Sequence, residues 1–427
     1  MYLLDTLTGE LEFVADPSKE RYAILSHVWQ REAELSFQEL RTLQHGMIHG
    51  LSEPPKCRRH RKVSSVLPMV SAKVRRCCEY ARQRGFRKLW IDTCCIDKRS
   101  SSELSEAINS MYEWYARAEV CFAYLHDVSD KEDPTRPNAS FRRSEWFTRG
   151  WTLQELIAPS CLEFLSKEWG FLGSKATLAD VVEQITGIHK DILTHKRPLD
   201  SASVATRMSW ASKRRTGKPE DEAYSLMGIF DVKMVTNYGE GRTAFIRLQE
   251  EILKRSGDQS IFAWGPILGG TRSYGDERAY RSHSFARNSM STLYARSPAD
   301  FRESGDIEAI PLDRLGQLLG IPATLPDYST TSYGVRTSFP CITLRSSSTS
   351  PSHALCLAVL GCRHRRDGNA DEVIALVLRQ PMRRRSEHYT VEQSQPYAVG
   401  MRGLELPLWL YKGDKSTSCT IKRFIAQ

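Results

Sequence analysis

Residues 69–125 read MVSAKVRRCCEYARQRGFRKLWIDTCCIDKRSSSELSEAINSMYEWYARAEVCFAYL, and this stretch decides the fold. Over Met69–Arg84, the residues Val70, Val74, Cys77, Cys78 and Ala81 share one face at helical spacing, which predicts a basic amphipathic helix. Gly85 ends it, and Leu89–Asp92 is a short apolar strand. Ser100 and Glu103 have the spacing of a capping box. Behind them Leu104, Ala107, Ile108, Met111, Tyr115 and Ala118 recur at helical spacing, and Val120–Leu125 is a buried strand. Helix, glycine, strand, helix, strand is the rhythm of an α/β unit built on a parallel sheet with flanking helices.

Working outward, Leu11–Ala15 and Tyr22–Val28 read as strands and Ser36–Gln44 as a short helix. His45–Leu67 is basic, polar and without periodicity, and reads as a flexible insert. Asp127–Pro137 is an acidic loop, Trp146–Pro159 carries a short helix, and Leu178–Ile185 is another. A linker around His195–Ser203 leads to two mainly helical stretches, Met208–Phe230 and Gly241–Arg255. Ala244, Phe245, Leu248 and Ile252 form the apolar stripe of the second. Beyond Trp264 short apolar runs recur at Cys341–Leu344, Ala354–Leu360 and Val373–Leu378, the texture of a β-rich region. The expected organisation is an α/β domain over 1–195, a helical extension over 196–265 and a β-rich region over 266–427.

Composition narrows the function. With 41% hydrophobic and 26% charged residues among 427, the chain has an ordinary globular make-up. Its net charge of +9 is mild for this length. Much of the excess lies in Cys57–Lys62 and Arg383–Arg385, which read as solvated loops. No aromatic residue interleaves with either run, so base stacking is not supported. The 11 cysteines include no C-x-x-C spacing, which speaks against a zinc ribbon or a thioredoxin-type site. Met1–Phe13 lacks the basic start of a signal peptide, and no apolar run approaches membrane-spanning length. A reduced, cytoplasmic protein with no metal is expected.

Three blocks carry candidate chemistry: Tyr22–Gln30 (YAILSHVWQ), Leu89–Lys98 (LWIDTCCIDK) and Trp146–Pro159 (WFTRGWTLQELIAP). The second puts Asp92 and Asp97 at the end of a strand. There they either bind sugar hydroxyls, a metal or a helix N-terminus, or hold the turn through backbone N–H groups. Cys94 and Cys95 read as packing rather than as nucleophiles. In the third block Trp151 and Glu155 stand four apart and share a helix face. An indole beside Glu155 would raise its pKa and make it chemically useful; the alternative is a salt bridge to Arg149 or Arg143. The first block ends in Ser26, His27 and Trp29, a strand tip able to bind a polar ligand. A Ser-His-Asp triad from Ser26 and His27 fails, because neighbours on a strand point to opposite faces. Gly239-Glu240-Gly241 is a turn into a helix rather than a phosphate loop.

In this order and combination the blocks resemble the heterokaryon incompatibility (HET) domain of filamentous fungi, over nearly the first 195 residues. The likeness continues through RMSWASKRRTGKPEDEAYSLMGIFDV, YGEGRTAFIRLQEEIL and DQSIFAW, the helical segment that commonly follows that domain. Trp29-Gln30 departs from the family's usual Trp-Gly, the run Arg214–Lys218 differs from its usual Thr-Thr-Arg, and the insert at 45–67 is atypical. The resemblance implies a role in non-self recognition that ends in regulated cell death. A remoter resemblance, to Toll/interleukin-1 receptor (TIR) domains, implies a flavodoxin-like parallel sheet. Plant TIR domains carry Trp-Cys-x-x-Glu-Leu, whose Glu is required for NAD cleavage, and Trp151-Thr-Leu-Gln-Glu155-Leu156 has the same spacing. That likeness implies a catalytic Glu155 with Ser26, His27, Trp29, Asp92, Asp97 and Trp151 around the substrate. NAD is then a substrate rather than a cofactor, and activity is completed by homo-oligomers. The competing implication is a non-enzymatic module that signals by assembly or by recruiting a partner.

Overall fold

The computed structural model describes residues 1–30, 34–48, 65–265, 293–320, 327–331, 334–344, 353–365, 372–381, 388–391, 397–400, 410–411 and 417–422. The expected insert at 45–67 falls largely outside these residues, as do the basic runs at 57–62 and 383–385. Packing divides the chain into two units. One is Met1–Leu199 with Arg214–Gly239, the other Asp200–Lys213 with Glu240–Gln427.

The strands of the first unit are β1 (Tyr2–Asp5), β2 (Leu11–Phe13), β3 (Tyr22–His27), β4 (Lys88–Trp90), β5 (Val120–Tyr124), β6 (Leu162–Leu165) and β7 (Phe171–Ser174). The helices up to Arg255 are, in chain order, α1 (Phe37–Ile48), α2 (Ala72–Gln83), α3 (Ser101–Arg117), α4 (Thr152–Ile157), α5 (Ala179–Thr186), α6 (Lys190–Leu193), α7 (Val204–Ala211), α8 (Asp221–Tyr224) and α9 (Thr243–Arg255). Of these, α7 and α9 belong to the second unit.

The seven strands form one sheet in the order β2-β1-β4-β3-β5-β6-β7. The four central strands are parallel, whereas β1, β2 and β7 run antiparallel to their neighbours at the two edges. The sheet is therefore mixed where a parallel one was expected. The cause lies in short connections: β1 to β2 and β6 to β7 are hairpins, which only antiparallel strands can use. The parallel strands, taken in chain order, lie in space as second, first, third, fourth. That is the doubly wound pattern, whose winding reverses at the C-terminal ends of β3 and β5, the place where such folds bind ligands.

Local chemistry explains the frame. Every residue of β3 is buried, as in strands covered on both faces. Ser71 caps α2 through the Val74 N–H. Ser100 caps α3 through Glu103 N, but the Glu103 carboxylate accepts from Asp97 N rather than completing the box. Tyr22 Oη of β3 donates to Trp114 O of α3 at 2.6 Å and Tyr115 Oη of α3 donates to Leu25 O of β3 at 2.9 Å, which ties this helix to β3. Pro159 stops α4 after a turn and a half. The helical reading of Met208–Phe230 holds at α7, at α8 and in a 3-10 turn over Met227–Phe230. Between α7 and α8, Gly217 and Pro219 interrupt it. No helix among the described residues is long and apolar enough to cross a membrane.

In the second unit α9 buries Ala244, Phe245, Leu248 and Ile252 as its spacing predicts. A nine-stranded sheet, built among others from Cys341–Leu344, His353–Val359 and Glu372–Pro381, makes this region β-rich. All its described pairings are antiparallel except that of His388–Val391 with Thr417–Lys422.

Candidate functional site

Ser26 and His27 end β3, opposite Ala123 and Tyr124 of β5, and their side chains enter two different polar clusters. Ser26 is fully buried. Its Oγ donates a short hydrogen bond to Glu155 Oε2 and accepts one from Trp146 Nε1 at 2.8 Å. The Trp146 indole is wedged edge-on against Phe147 and Phe164, with ring centroids 5.1 and 5.8 Å away, so its N–H can point only inward. Glu155, on α4, is 5% exposed. Burial pushes its carboxyl up to about 8, and the charge of Asp92 adds to that; the hydrogen bond from Ser26 and the positive charge of Arg214 pull the other way. Near neutrality Glu155 is a buried, proton-holding acid at the strand ends.

His27 lies on the other side. Its Nε2 is 3.0 Å from Asp92 Oδ1 and its Nδ1 is 3.1 Å from Lys73 Nζ, which pairs with Glu34 at 2.5 Å. Trp29 Nε1 donates to Asp92 Oδ2 at 2.7 Å, and Lys98 Nζ sits 3.7 Å from the centroid of the half-exposed Trp29 ring. Burial raises the Asp92 carboxyl, but contacts from His27, Lys98 and Trp29 outweigh it and hold the group below the usual carboxylate range. Asp92 is the ionised partner to a protonated Glu155, a pairing of opposite shifts that acid–base sites exploit.

Two expected members stand elsewhere. Asp97 Oδ1 accepts from Arg99 N at 2.9 Å and from Gln38, so this carboxylate holds the turn before α3. The Trp151 indole bonds to Asp221, which also accepts from Tyr238 Oη at 2.9 Å. The indole bonded into the Glu155 cluster is that of Trp146. Neither Arg149 nor Arg143 supplies the cation that acts on Glu155; Arg214 does. Cys94 and Cys95 are free and buried, and the Cys94 thiol is pushed well above its ordinary range by its hydrogen bond with Cys95 and by burial, which suits packing rather than attack.

Sequence reasoning passed over Trp146, Tyr115, Lys73 and Lys175. Lys175, buried beyond β7, donates to Leu156 O at 3.1 Å, to Ile157 O at 3.4 Å and to Pro159 O, capping the C-terminal end of the helix that carries Glu155. Burial brings its ammonium down to about 8. Among the described residues no group of three or more His, Cys, Asp or Glu side chains could hold a metal. A cavity of about 200 Å³ lined by Tyr2, Phe13, Ser100, Glu106 and Trp114, among others, includes none of the candidate residues.

Residues 22–139 match the family model described as heterokaryon incompatibility protein (HET). A relative, vegetative incompatibility protein HET-E-1 of Podospora anserina, is 43% identical over 242 residues. Over this part of its length the chain is similar to a HET domain. The shared stretch is 55% of this chain but 16% of that relative's length. Residues 243–388 match a second model, a domain of unknown function (DUF8212). No solved structure matches the chain. Ser26, His27, Trp29, Asp92 and Asp97 lie inside the stretch matched as HET domain. Trp146, Trp151 and Glu155 follow it, and of these Trp146 and Glu155 bond to Ser26 of β3.

Proposed function

We propose that this chain is a vegetative incompatibility protein of the cytoplasm. In this reading its α/β unit cleaves NAD at the nicotinamide–ribose bond: NAD and water give nicotinamide, ADP-ribose and a proton. The observation that carries the reading is the juxtaposition of Glu155 and Ser26 at the C-terminal ends of β3 and β5, the crevice where doubly wound folds bind nucleotides. Bond breaking develops positive charge on the ribose, and a carboxylate beside that carbon stabilises it. Glu155 is protonated when the crevice is closed. A cationic nicotinamide seated beside it favours the ionised form, so substrate entry itself switches the acid on. Nicotinamide leaves without a general acid. Asp92, fixed by His27 and Trp29, serves the ribose hydroxyls in this scheme.

Glu155 at 5% exposure and Ser26 at 0% are closed to solvent, so the crevice has to open, and self-association is the proposed trigger. The same burial favours a second reading, a signalling module in which the cluster locks α4 to β3 and death follows from assembly. The test is nicotinamide release from NAD by the purified protein at concentrations where it self-associates, with Glu155→Gln alongside. Release that the variant loses supports cleavage. An assembled wild type that releases none overturns it in favour of the module.

A further inference from the structure

The residues that close over the start of α4 come from far down the chain. Arg215 N donates to Thr148 O at 2.7 Å and Gly150 N donates to Arg215 O at 2.8 Å, a parallel bridge between Arg149 and Arg215. A methyl group on Gly150 would lie 2.4 Å from Thr216 Cγ2, so the missing side chain at 150 is what admits residues 214–216 at this distance. From this strap Arg214 Nη1 donates to Arg149 O and to Thr152 Oγ1, both at 2.9 Å. The Thr152 hydroxyl donates in turn to Trp146 O at 2.5 Å. The guanidinium thus grips the turn that has Trp146 at one end and Glu155 at the other. Its own residue is half-buried, and burial lowers its pKa to about 9 while the Glu155 carboxyl opposes that.

We propose that Arg214 is the positioning residue of the Glu155 site: delivered by the 214–216 strap, its guanidinium fixes the Arg149–Thr152 turn and sets a positive charge beside Glu155. It touches no substrate and acts through α4. The inference rests on the reading of Glu155 as the reacting carboxylate, because only an ionised Glu155 can stabilise a ribosyl cation and a buried carboxylate without a cation stays neutral. A lysine at 214 keeps the charge, but its shorter side chain lacks the terminal nitrogen that reaches the Arg149 carbonyl and the Thr152 hydroxyl together.

The test titrates Glu155 in the full chain by the infrared band of its protonated carboxyl, assigned by its loss in Glu155→Gln. Arg214→Met is expected to move the midpoint up by about one pH unit or more, tenfold in proton affinity, and Arg214→Lys by less. Hydrogen exchange at Gly150 and Arg215 is expected to quicken in both variants. A folded Arg214→Met with an unmoved midpoint overturns the proposal. If that variant does not fold, Arg214→Lys decides: faster exchange at Gly150 and Arg215 supports the proposal and unchanged exchange overturns it. Neither readout uses turnover. Absence of nicotinamide release therefore strikes at NAD cleavage alone, and an unmoved midpoint in a protein that does release nicotinamide strikes at Arg214 alone.

Discussion

Glu155→Gln is expected to make the first unit more stable at neutral pH, by a margin that grows with pH. Burial lifts the folded-state carboxyl from 4.5 to about 8. The folded chain therefore keeps a proton that the unfolded chain has already lost. Stability from this group is complete below pH 4.5 and is lost as pH rises towards 8, at about 1.4 kcal/mol per pH unit. The loss amounts to roughly 3 kcal/mol at pH 7 and roughly 4 by pH 8. Glutamine is close in shape to the protonated acid, its amide oxygen can accept the Ser26 hydrogen bond, and it cannot ionise. The two proteins should be equally stable near pH 4.5 and diverge above it. Hydrogen exchange of the β3 amides, compared at pH 5, 6, 7 and 8, reads the opening free energy of this unit. Differences at each pH cancel the intrinsic exchange chemistry and every other titrating group. A margin that stays constant from pH 5 to 8 would refute the account of a buried, proton-holding Glu155.

Asp92 carries the opposite sign. Its folded pKa lies below the ordinary 3.8, so its contribution is present above that value and is lost as pH falls through the folded one. Asp92→Asn should cost roughly 3 kcal/mol at pH 7 in denaturant melts, with the cost fading in strong acid. Lys175→Met leaves the carbonyls of Leu156, Ile157 and Pro159 without their ammonium. A loss of about 3 kcal/mol and faster exchange at the end of α4 are expected, with no such acceleration in β1. Gly150→Ala should cost about 1–3 kcal/mol through its clash with Thr216 Cγ2, and Thr216→Ser should restore most of it. A double-mutant cycle without coupling would show that the clash is relieved elsewhere.

The α/β frame was legible because its signals are local. The stripe of α2, the Ser100 cap of α3 and the apolar run of β5 each fix an element without reference to the rest. The edge strand β2 was legible, but β1 and the opposite edge strand β7 were not. Tyr2–Asp5 and Phe171–Ser174 are short and half-buried, and only their neighbours make them strands. Of the candidate residues, Ser26, His27, Trp29, Asp92 and Glu155 stand out in the sequence because they close conspicuous apolar blocks, and the structure brings them into two neighbouring polar clusters. Assigning Trp151 as the indole beside Glu155 failed for a definite reason. Spacing on a helix says which residues share a face but not what that face meets, and here Asp221 claims the Trp151 N–H. Trp146 had an aromatic signal in the same block, yet the bend at Arg149–Gly150 that turns it towards Ser26 depends on residues 214–216, more than sixty positions away. No window of sequence contains both halves of that contact.

The strap also bears on how such chains can be recombined. The matched HET domain stops at 139, yet the fold it belongs to takes its last residues from Arg214–Gly239, after an excursion through Asp200–Lys213. A crossover at 139, or even at 199, would transplant a sheet stripped of Arg214 and of the Trp151–Asp221 clasp. A cargo that travels intact between architectures has to reach Gly239. The 242 residues shared with a far longer relative are a parcel of about that size.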